Sequence, residues 1–471
     1  MGDYLKLFET HTEYETYIEG QDVLLPNVSY CEDNNEVYYK PLEAKYDYSQ
    51  DYLTFVALED GTFTFTSAPN SENVISYSTD GGETWTTGNS VTVNNGDIVM
   101  WKGTMTPSSL DGIGTFGSTG NFDVQGNVMS LLYGDNYNAQ TDLTGKNYAF
   151  RYLFKNNTKV VSIENLSLPA TTLTQYCYYG MFYGCTSLTT ASELPAETLA
   201  FSCYGSMFYG CTALTTAPVL AATTLATYCY NSMFRGCTSL TTAPDLPATT
   251  LAEDCYWYMF QGCTSLTTAP SVLSATTLAN SCYSNMFQDC TSLTTAPELP
   301  ATTLASGCYS SMFRGCTSLT TAPELPATTL ANSCYASMFS GCTALITASE
   351  LPATTLAESC CDNMFQDCTS LTTAPELPAT TLASGCYSAM FQGCTSLTTA
   401  PELPATTLAT YCYNSMFINC TSLTEVAIVP NSVKPISSDY CCSMYQNCNV
   451  PRSSDYDTVA YDGCGGGGSN D

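Results

Sequence analysis

The sequence predicts a mainly β protein with short helical turns, in which an antiparallel β-domain precedes a solenoid of about eleven 26-residue coils. Three observations carry this expectation. A Met-Phe pair recurs at Met181, Met207, Met233, Met259, Met286, Met312, Met338, Met364, Met390 and Met416, a step of 26 residues broken once by 27, and a fixed period of this length is the mark of stacked repeat units. Residues 51–147 alternate apolar and polar side chains between Gly, Asn and Asp turns, the period of half-buried strands. The residue before the second cysteine of each copy is Gly184, Gly210, Gly236, Gly262, Asp289, Gly315, Gly341, Asp367, Gly393 or Asn419, and these three residue types best tolerate a left-handed backbone.

In chain order, residues 1–50 read as an N-terminal attachment segment, with a helix within "YLKLFETHTEYETYI" and two strands, "NVSYC" and "EVYYK", joined around "EDNN". Residues 51–147 hold "YLTFVALEDGTFTFT", "VISYSTDGGETWTT" and "SVTVNNGDIVMWKG", which predict a sandwich or small barrel. Within them "STDGGETW", Ser78 to Trp85, resembles the Asp-box of sialidases and other β-propeller proteins. That resemblance implies a hairpin turn and no chemistry. Arg151, Arg235, Arg314 and Arg452 are the chain's arginines, too few and too scattered for a sialidase site. Residues 148–450 are the repeat array, with weaker end copies "YLFKNNTKVVSIENLSLPATTL" and "SMYQNCNV" expected to act as caps; Lys155, Asn157 and Lys159 suit the polar outer face of a first cap. Residues 451–471 read as a flexible, Gly-rich tail.

Each coil is expected to run as a strand at "SLTTA", a kink at "APELPA", a second extended piece at "ATTLA" and a helical turn at "SGCYSSMFRG". Pro323 and Pro326 remove two backbone donors, so no continuous ladder crosses the kink. Cys308, Met312, Phe313, Cys316, Leu319, Ala322, Leu325 and Leu330 are expected inside.

Twenty-six cysteines invite a disulfide or metal reading. Equivalent cysteines in successive coils would stand about 4.8 Å apart, but side chains in a ladder point the same way, the wrong vector for a bridge. The eight-residue step from Cys308 to Cys316 is not a zinc spacing, and His11 is the lone histidine. Most of the thiols therefore read as small, reduced core residues. Cys361 and Cys441 fall in the column that holds Tyr309 and Tyr335, whereas Cys31, Cys442 and Cys464 lie outside the pattern and are candidate free thiols.

The order aromatic, turn residue, "CTSL", strand, "LP" and a second aromatic-bearing turn, over roughly residues 150 to 450, resembles the BspA-type leucine-rich repeat; "LTEVAIVPNSVKPISSDYCCSMYQNC" is the copy nearest that family's wording. The resemblance implies a surface-exposed adhesion or ligand-binding protein. The layout of the front end, with "LPNVSYCEDNNEVYY", resembles fibre-like and other virion structural proteins of gut bacteriophages. It implies a virion surface protein made in the host cytoplasm without a signal peptide. Its N-terminal region would meet other virion proteins, and its solenoid would meet host-surface glycan or protein. A homo-oligomer is compatible with that role, although no long heptad run argues for one. A bacterial surface adhesin exported by another route and a polysaccharide depolymerase are the alternatives.

Two columns are candidate binding features. Thr241, Thr242, Thr267, Thr268, Thr294, Thr295, Thr320, Thr321, Thr372, Thr373, Thr398 and Thr399 form a hydroxyl-rich face, either a solvated face favoured by strand propensity or a flat platform for a ligand. Glu298, Glu324, Glu350, Glu376 and Glu402 form a carboxylate edge; equivalent carboxylates cannot split into acid and base roles, so the edge reads as solvated or as a loose cation site. No catalytic residue, metal site or cofactor is expected. The 43 Asp plus Glu outnumber the 12 Lys plus Arg, a net charge of -31 that repels nucleic acid. The apolar stretches fall short of a membrane span.

Overall fold

The computed structural model describes residues 5–8, 28–31, 36–39, 47–69, 73–108, 111–456 and 459–462. The chain divides into two compact units, Met1–Tyr48 and Ser49–Asp471.

The first unit contains three antiparallel strands, β1 (Leu5–Phe8), β2 (Val28–Cys31) and β3 (Glu36–Tyr39), in the order β1-β3-β2. β2 and β3 lie where two strands were expected, paired from Val28 with Tyr39 to Cys31 with Glu36. Leu5–Phe8, expected within a helix, is a strand against β3. Its "LKLF" alternates with period two, and an available partner edge decides for such a short segment. The rest of the expected helix lies outside the described residues.

The second unit opens with a sandwich. One sheet is β10 (Gly114–Ser118), β5 (Gly61–Ser67) and β8 (Ser90–Val93); the other joins β11 (Phe122–Asn127), β4 (Leu53–Ala57), β9 (Ile98–Gly103), β6 (Ile75–Ser78) and β7 (Thr86–Thr87). Alternate residues of both sheets turn inward, as periodicity requires. Phe55 on β4 meets Phe63 and Phe116 of the facing sheet edge-on, with ring centroids 5.3 and 4.8 Å apart. Trp101 on β9 packs against Phe116 at 5.2 Å. The Asp-box is the turn between β6 and β7. Ser78 Oγ donates to Asp80 at 2.6 Å, the Thr84 N–H donates to the same carboxylate at 2.9 Å, and Trp85 Nε1 donates to the Gly82 carbonyl at 3.1 Å. The bonds from Ser78 and Thr84 hold the Asp80 carboxyl far below the usual carboxylate range, since each favours the charged form.

The sandwich continues directly into the repeat array. β11 pairs in parallel with β12 (Val160–Ser162) and β13 (Leu166–Ser167), which belong to the first coil. Phe116 stacks on Phe154 at 5.6 Å, and Asn157, 6% exposed, donates to the Phe116 carbonyl at 3.2 Å. The first coil was expected to present a polar outer face; instead the sandwich covers it, and Asn157 serves the joint. Buried apolar rings on both sides make this the favourable closure.

The segment expected as a helical turn is a ladder of turns. In the coil of Phe313, the N–H groups of Cys308, Ser310, Met312, Arg314 and Cys316 donate three residues back along the chain, at 3.0–3.3 Å. The intervening N–H groups of Tyr309, Ser311, Phe313 and Gly315 donate instead to carbonyls of the next coil, at Cys334, Ala336, Met338 and Ser340, over 2.8–3.0 Å. Left-handed residues four apart cause the alternation: φ is 61° at Gly307, 54° at Ser311 and 73° at Gly315. A helix needs right-handed angles throughout. The third of these columns is the Gly/Asp/Asn column read from the sequence, and all ten of its residues have φ between 58 and 75°.

Across the kink the expected strands reduce to single parallel bridges, such as Thr321 with Thr347 and Thr329 with Thr355. Of the eight residues expected inside this coil, all are buried except Ala322, which is half-buried beside Pro323.

Stacking of the coils is recorded in the rings. A file runs from Phe154 through Phe182 and its equivalents to Tyr445. Neighbouring centroids are 5.3–5.8 Å apart and planes lie within 7° of parallel. A second file, of tyrosines, breaks where Cys361 replaces the ring. At the far end, Tyr445 stacks on Tyr461 and its hydroxyl donates to that of Tyr456, which donates to the Ala427 carbonyl. Part of the expected tail is thus a cap: Tyr456 and Ala460 are buried, because the last ring of the file needs cover. The Gly-rich residues beyond 462 lie outside the described residues.

The left-handed column makes a prediction. At Gly341, φ is 74° and an added Cβ would meet only Gly315 backbone atoms at 3.8 Å, so backbone conformation alone decides the outcome. Gly341→Asn is expected to lose less than about 1 kcal/mol and Gly341→Val about 2 kcal/mol, read by urea denaturation. Equal losses for the two variants would contradict it.

Candidate functional site

Three surfaces bear side chains that could meet a ligand, and the thiols lie beneath them. The twelve threonines of the hydroxyl face are all exposed, and side chains of one column repeat at the coil spacing. Part of their hydrogen-bonding capacity is already used: Thr267 Oγ1 donates to the Thr241 carbonyl at 3.2 Å, and Thr424 Oγ1 to that of Thr398 at 3.4 Å. These hydroxyls join coils while their methyl groups and remaining lone pairs face solvent.

Glu298, Glu324, Glu350, Glu376 and Glu402 are likewise exposed. Glu298 and Glu324 line one cleft of about 500 Å³ with Pro297, Pro300, Pro323 and Pro326. Glu376 and Glu402 line another, of about 570 Å³, with Pro375, Pro378, Pro401 and Pro404. Each pair has matching neighbours, so nothing sets one carboxyl apart as the acid and the other as the base.

The third surface was not read from the sequence. On the outer side of the turn ladder, in the coils nearest the sandwich, Tyr152, Tyr179, Tyr183, Tyr209, Trp257 and Tyr258 surround a groove of about 630 Å³ whose base includes Ser206, Asn231 and Ser232. Tyr183 and Tyr209 stack at 4.5 Å, and Trp257 packs on Tyr258 at 4.6 Å. Three cations belong to this surface. The Arg151 guanidinium lies 4.8 Å from the Tyr152 ring centroid and 5.2 Å from that of Tyr179; Lys155 Nζ is 4.1 Å from Tyr152; Arg235 is 4.9 Å from Tyr258 and 5.5 Å from Tyr209. The signal was present in the sequence as departures from the repeat: where these coils carry Tyr179, Tyr183, Tyr209, Trp257 and Tyr258, later copies carry Ser310, Ser311, Arg314, Ser340 or Gln392.

The thiols are mainly core residues. The second cysteine of each coil also donates a hydrogen bond across the stack. Cys316 Sγ donates to the Phe287 carbonyl at 3.1 Å, and the bond repeats from Cys185 to Cys420 at 3.0–3.1 Å. Burial pushes the thiols of Cys177, Cys263 and Cys308 up to about 12. Cys441 is buried in the tyrosine column, its Sγ donating to the Ser437 carbonyl at 3.2 Å. Cys442, expected as a candidate free thiol, is disulfide-bonded; it sits at the capping end, outside the packed columns, where a side chain is free to leave the common direction of the ladder. The side chains of Cys31 and Cys464 lie outside the described residues. Among the described residues no group of His, Cys, Asp and Glu is placed to hold a metal ion, and no helix is long and apolar enough to cross a membrane.

No curated protein and no solved structure matches the chain. Residues 149–294, 283–379 and 332–464 match the BspA type leucine rich repeat region, in six copies. The matched span takes in the ladder of turns, the ring files, both candidate columns and the described residues of the C-terminal cap. With most of its length accounted for in this way, the chain belongs to the BspA-type leucine-rich repeat family.

Proposed function

We propose that the protein is a non-enzymatic, surface-displayed binding protein whose coils form a solenoid presenting its threonine files to host-surface glycan or protein. The observation that carries this reading is the register of exposed Thr320, Thr321 and their equivalents, a flat and repetitive surface of the kind through which repeat proteins bind. The finer placement on a virion, with residues 1–50 meeting other virion proteins, rests on the layout of the front end. Co-sedimentation of the full chain with virus-like particles checks it, and its presence on uninfected bacterial surfaces would favour a cellular adhesin.

The binding reading has its own test. The full-length chain carrying Thr294→Glu, Thr320→Glu and Thr372→Glu is expected to bind susceptible cells about tenfold more weakly than the parent, with unchanged circular dichroism. Undiminished binding by the variant would count against the threonine files.

A further inference from the structure

We propose that the aromatic groove on the turn ladder binds a short anionic oligosaccharide, one bearing carboxylate or sulfate groups. The inference deepens the reading of the chain as a surface binding protein and moves the specific contact from the threonine files to the first coils.

Charge is the first argument. In a chain of net charge -31 with only 12 Lys plus Arg, Arg151, Lys155 and Arg235 stand on one surface. Among the described residues none of the three forms an ion pair; the salt bridges there are Lys102–Asp135, Lys434–Asp455 and Arg452–Asp462. Arg151 keeps a buried Nε without a hydrogen-bond partner. Glu253 and Asp254 lie near the far end, and Asp254 is engaged by the Tyr228 hydroxyl. Cations held over ring faces and unpaired in an acidic protein are available to an incoming anion.

Shape is the second. Gly205, Ser206, Asn231 and Ser232 occupy the two coils between Tyr179 and Trp257, so the aromatic side chains of those outer columns are missing there and a recess remains. From the coil of Tyr179 to that of Trp257 is three coil spacings, about 14 Å. The recess, about 630 Å³, lies within the usual range of ligand sites, roughly 300–1,000 Å³. Rings at both ends and along one side offer apolar faces to the C–H faces of sugar rings. Ser206, Asn231 and Ser232 offer donors and acceptors to sugar hydroxyls.

Single-stranded nucleic acid also uses aromatic and cationic surfaces. A polyanion extending beyond this short recess would meet the chain's overall negative field, whereas a short ligand meets the three cations locally. The anionic saccharide is therefore the occupant the observations favour.

Isothermal titration of the full chain with a uronate trisaccharide, a sialylated trisaccharide and a sulfated disaccharide, each beside its neutral counterpart, tests the proposal. At least one anionic probe is expected to bind, and its neutral counterpart about tenfold more weakly. Arg235→Ala and Trp257→Ala are each expected to weaken that probe about tenfold, while Arg235→Lys restores part of the loss. Arg314→Ala is the control, because Arg314 occupies the Arg235 column three coils on and is expected to change binding less than about twofold. Urea denaturation of each variant shows whether the fold is retained; should Trp257→Ala not fold, the Arg235 pair carries the test. The proposal is overturned if no anionic probe binds more tightly than its neutral form, if binding survives both substitutions, or if single-stranded oligonucleotide binds more tightly than every saccharide. Cell binding that survives the groove variants but not the threonine variants would keep the adhesion reading and overturn this one.

Discussion

Raising the pH above about 9 is expected to unfold the repeat array in one steep transition. An unfolded thiol titrates near its ordinary value of 9.0, whereas burial pushes Cys177, Cys229, Cys263, Cys342 and Cys394 up to about 12 in the fold. A folded-state value raised above the unfolded one means that the folded protein holds more protons between the two. The contribution of each thiol to stability is therefore fully present below pH 9 and is lost as pH rises toward 12. Within that window each such thiol loses about 1.4 kcal/mol per pH unit. Burial raises the other repeated thiols, such as Cys203, Cys211 and Cys237, in the same direction, so the losses accumulate along the array against a total stability of about 5–15 kcal/mol for a typical domain.

The S–H donors are lost in the same step, because a thiolate cannot donate to the Phe287 carbonyl or its equivalents. Circular dichroism followed with thiolate absorbance is expected to show both signals change together just above pH 9. An array that keeps its circular dichroism to pH 11 would contradict the expectation. At pH 8, iodoacetamide is expected to spare the buried cysteines and to reach Cys448, the partly exposed one among the described free thiols.

Phe313→Ala is expected to lose about 3–5 kcal/mol, the range for deleting a fully buried ring. Phe313 is 0% exposed and stacks on Phe287 at 5.8 Å and on Phe339 at 5.7 Å. The coils before and after it cannot close the gap without breaking the inter-coil hydrogen bonds on either side, from Phe287 to Met312 and from Phe313 to Met338, each 2.9 Å. In a stack held by nearest-neighbour contacts, weakening one interface also uncouples the two sides. Urea denaturation is expected to resolve two steps in the variant where the parent shows one. A single, unshifted transition would mean that the ring file carries little of the stability. Phe313→Leu, which refills most of the volume, is expected to lose about 1.5 kcal/mol.

The repeat period was legible because stacking is a relation between equivalent positions. Residues 26 apart, such as Phe313 and Phe339, meet whatever path the coil takes between them. The column before the second cysteine was legible for a local reason, since its Gly, Asp and Asn share a tolerance for positive φ. The two sister columns escaped notice because Ser311, Ala389 and Tyr411 adopt the same angles, at 54, 48 and 60°, without any compositional mark. There the inter-coil hydrogen bonds impose the conformation. The expected helical turn fails for the same cause: "CYSSMF" has no local feature that forbids a helix, and the partner carbonyls that defeat it lie in the next coil.

The amino-acid sequence by itself determined the period, the inward residues and the family, because each follows from identity at a fixed spacing along the chain. Only the tertiary structure decided that the sandwich covers the first coil, that Tyr456, Ala460 and Tyr461 help close the last, and that Lys155, Tyr209, Arg235 and Trp257 share one groove. The physical reason is that these outcomes depend on which outward side chains lie beside one another across several coils, and sideways proximity leaves no periodic trace in a linear chain.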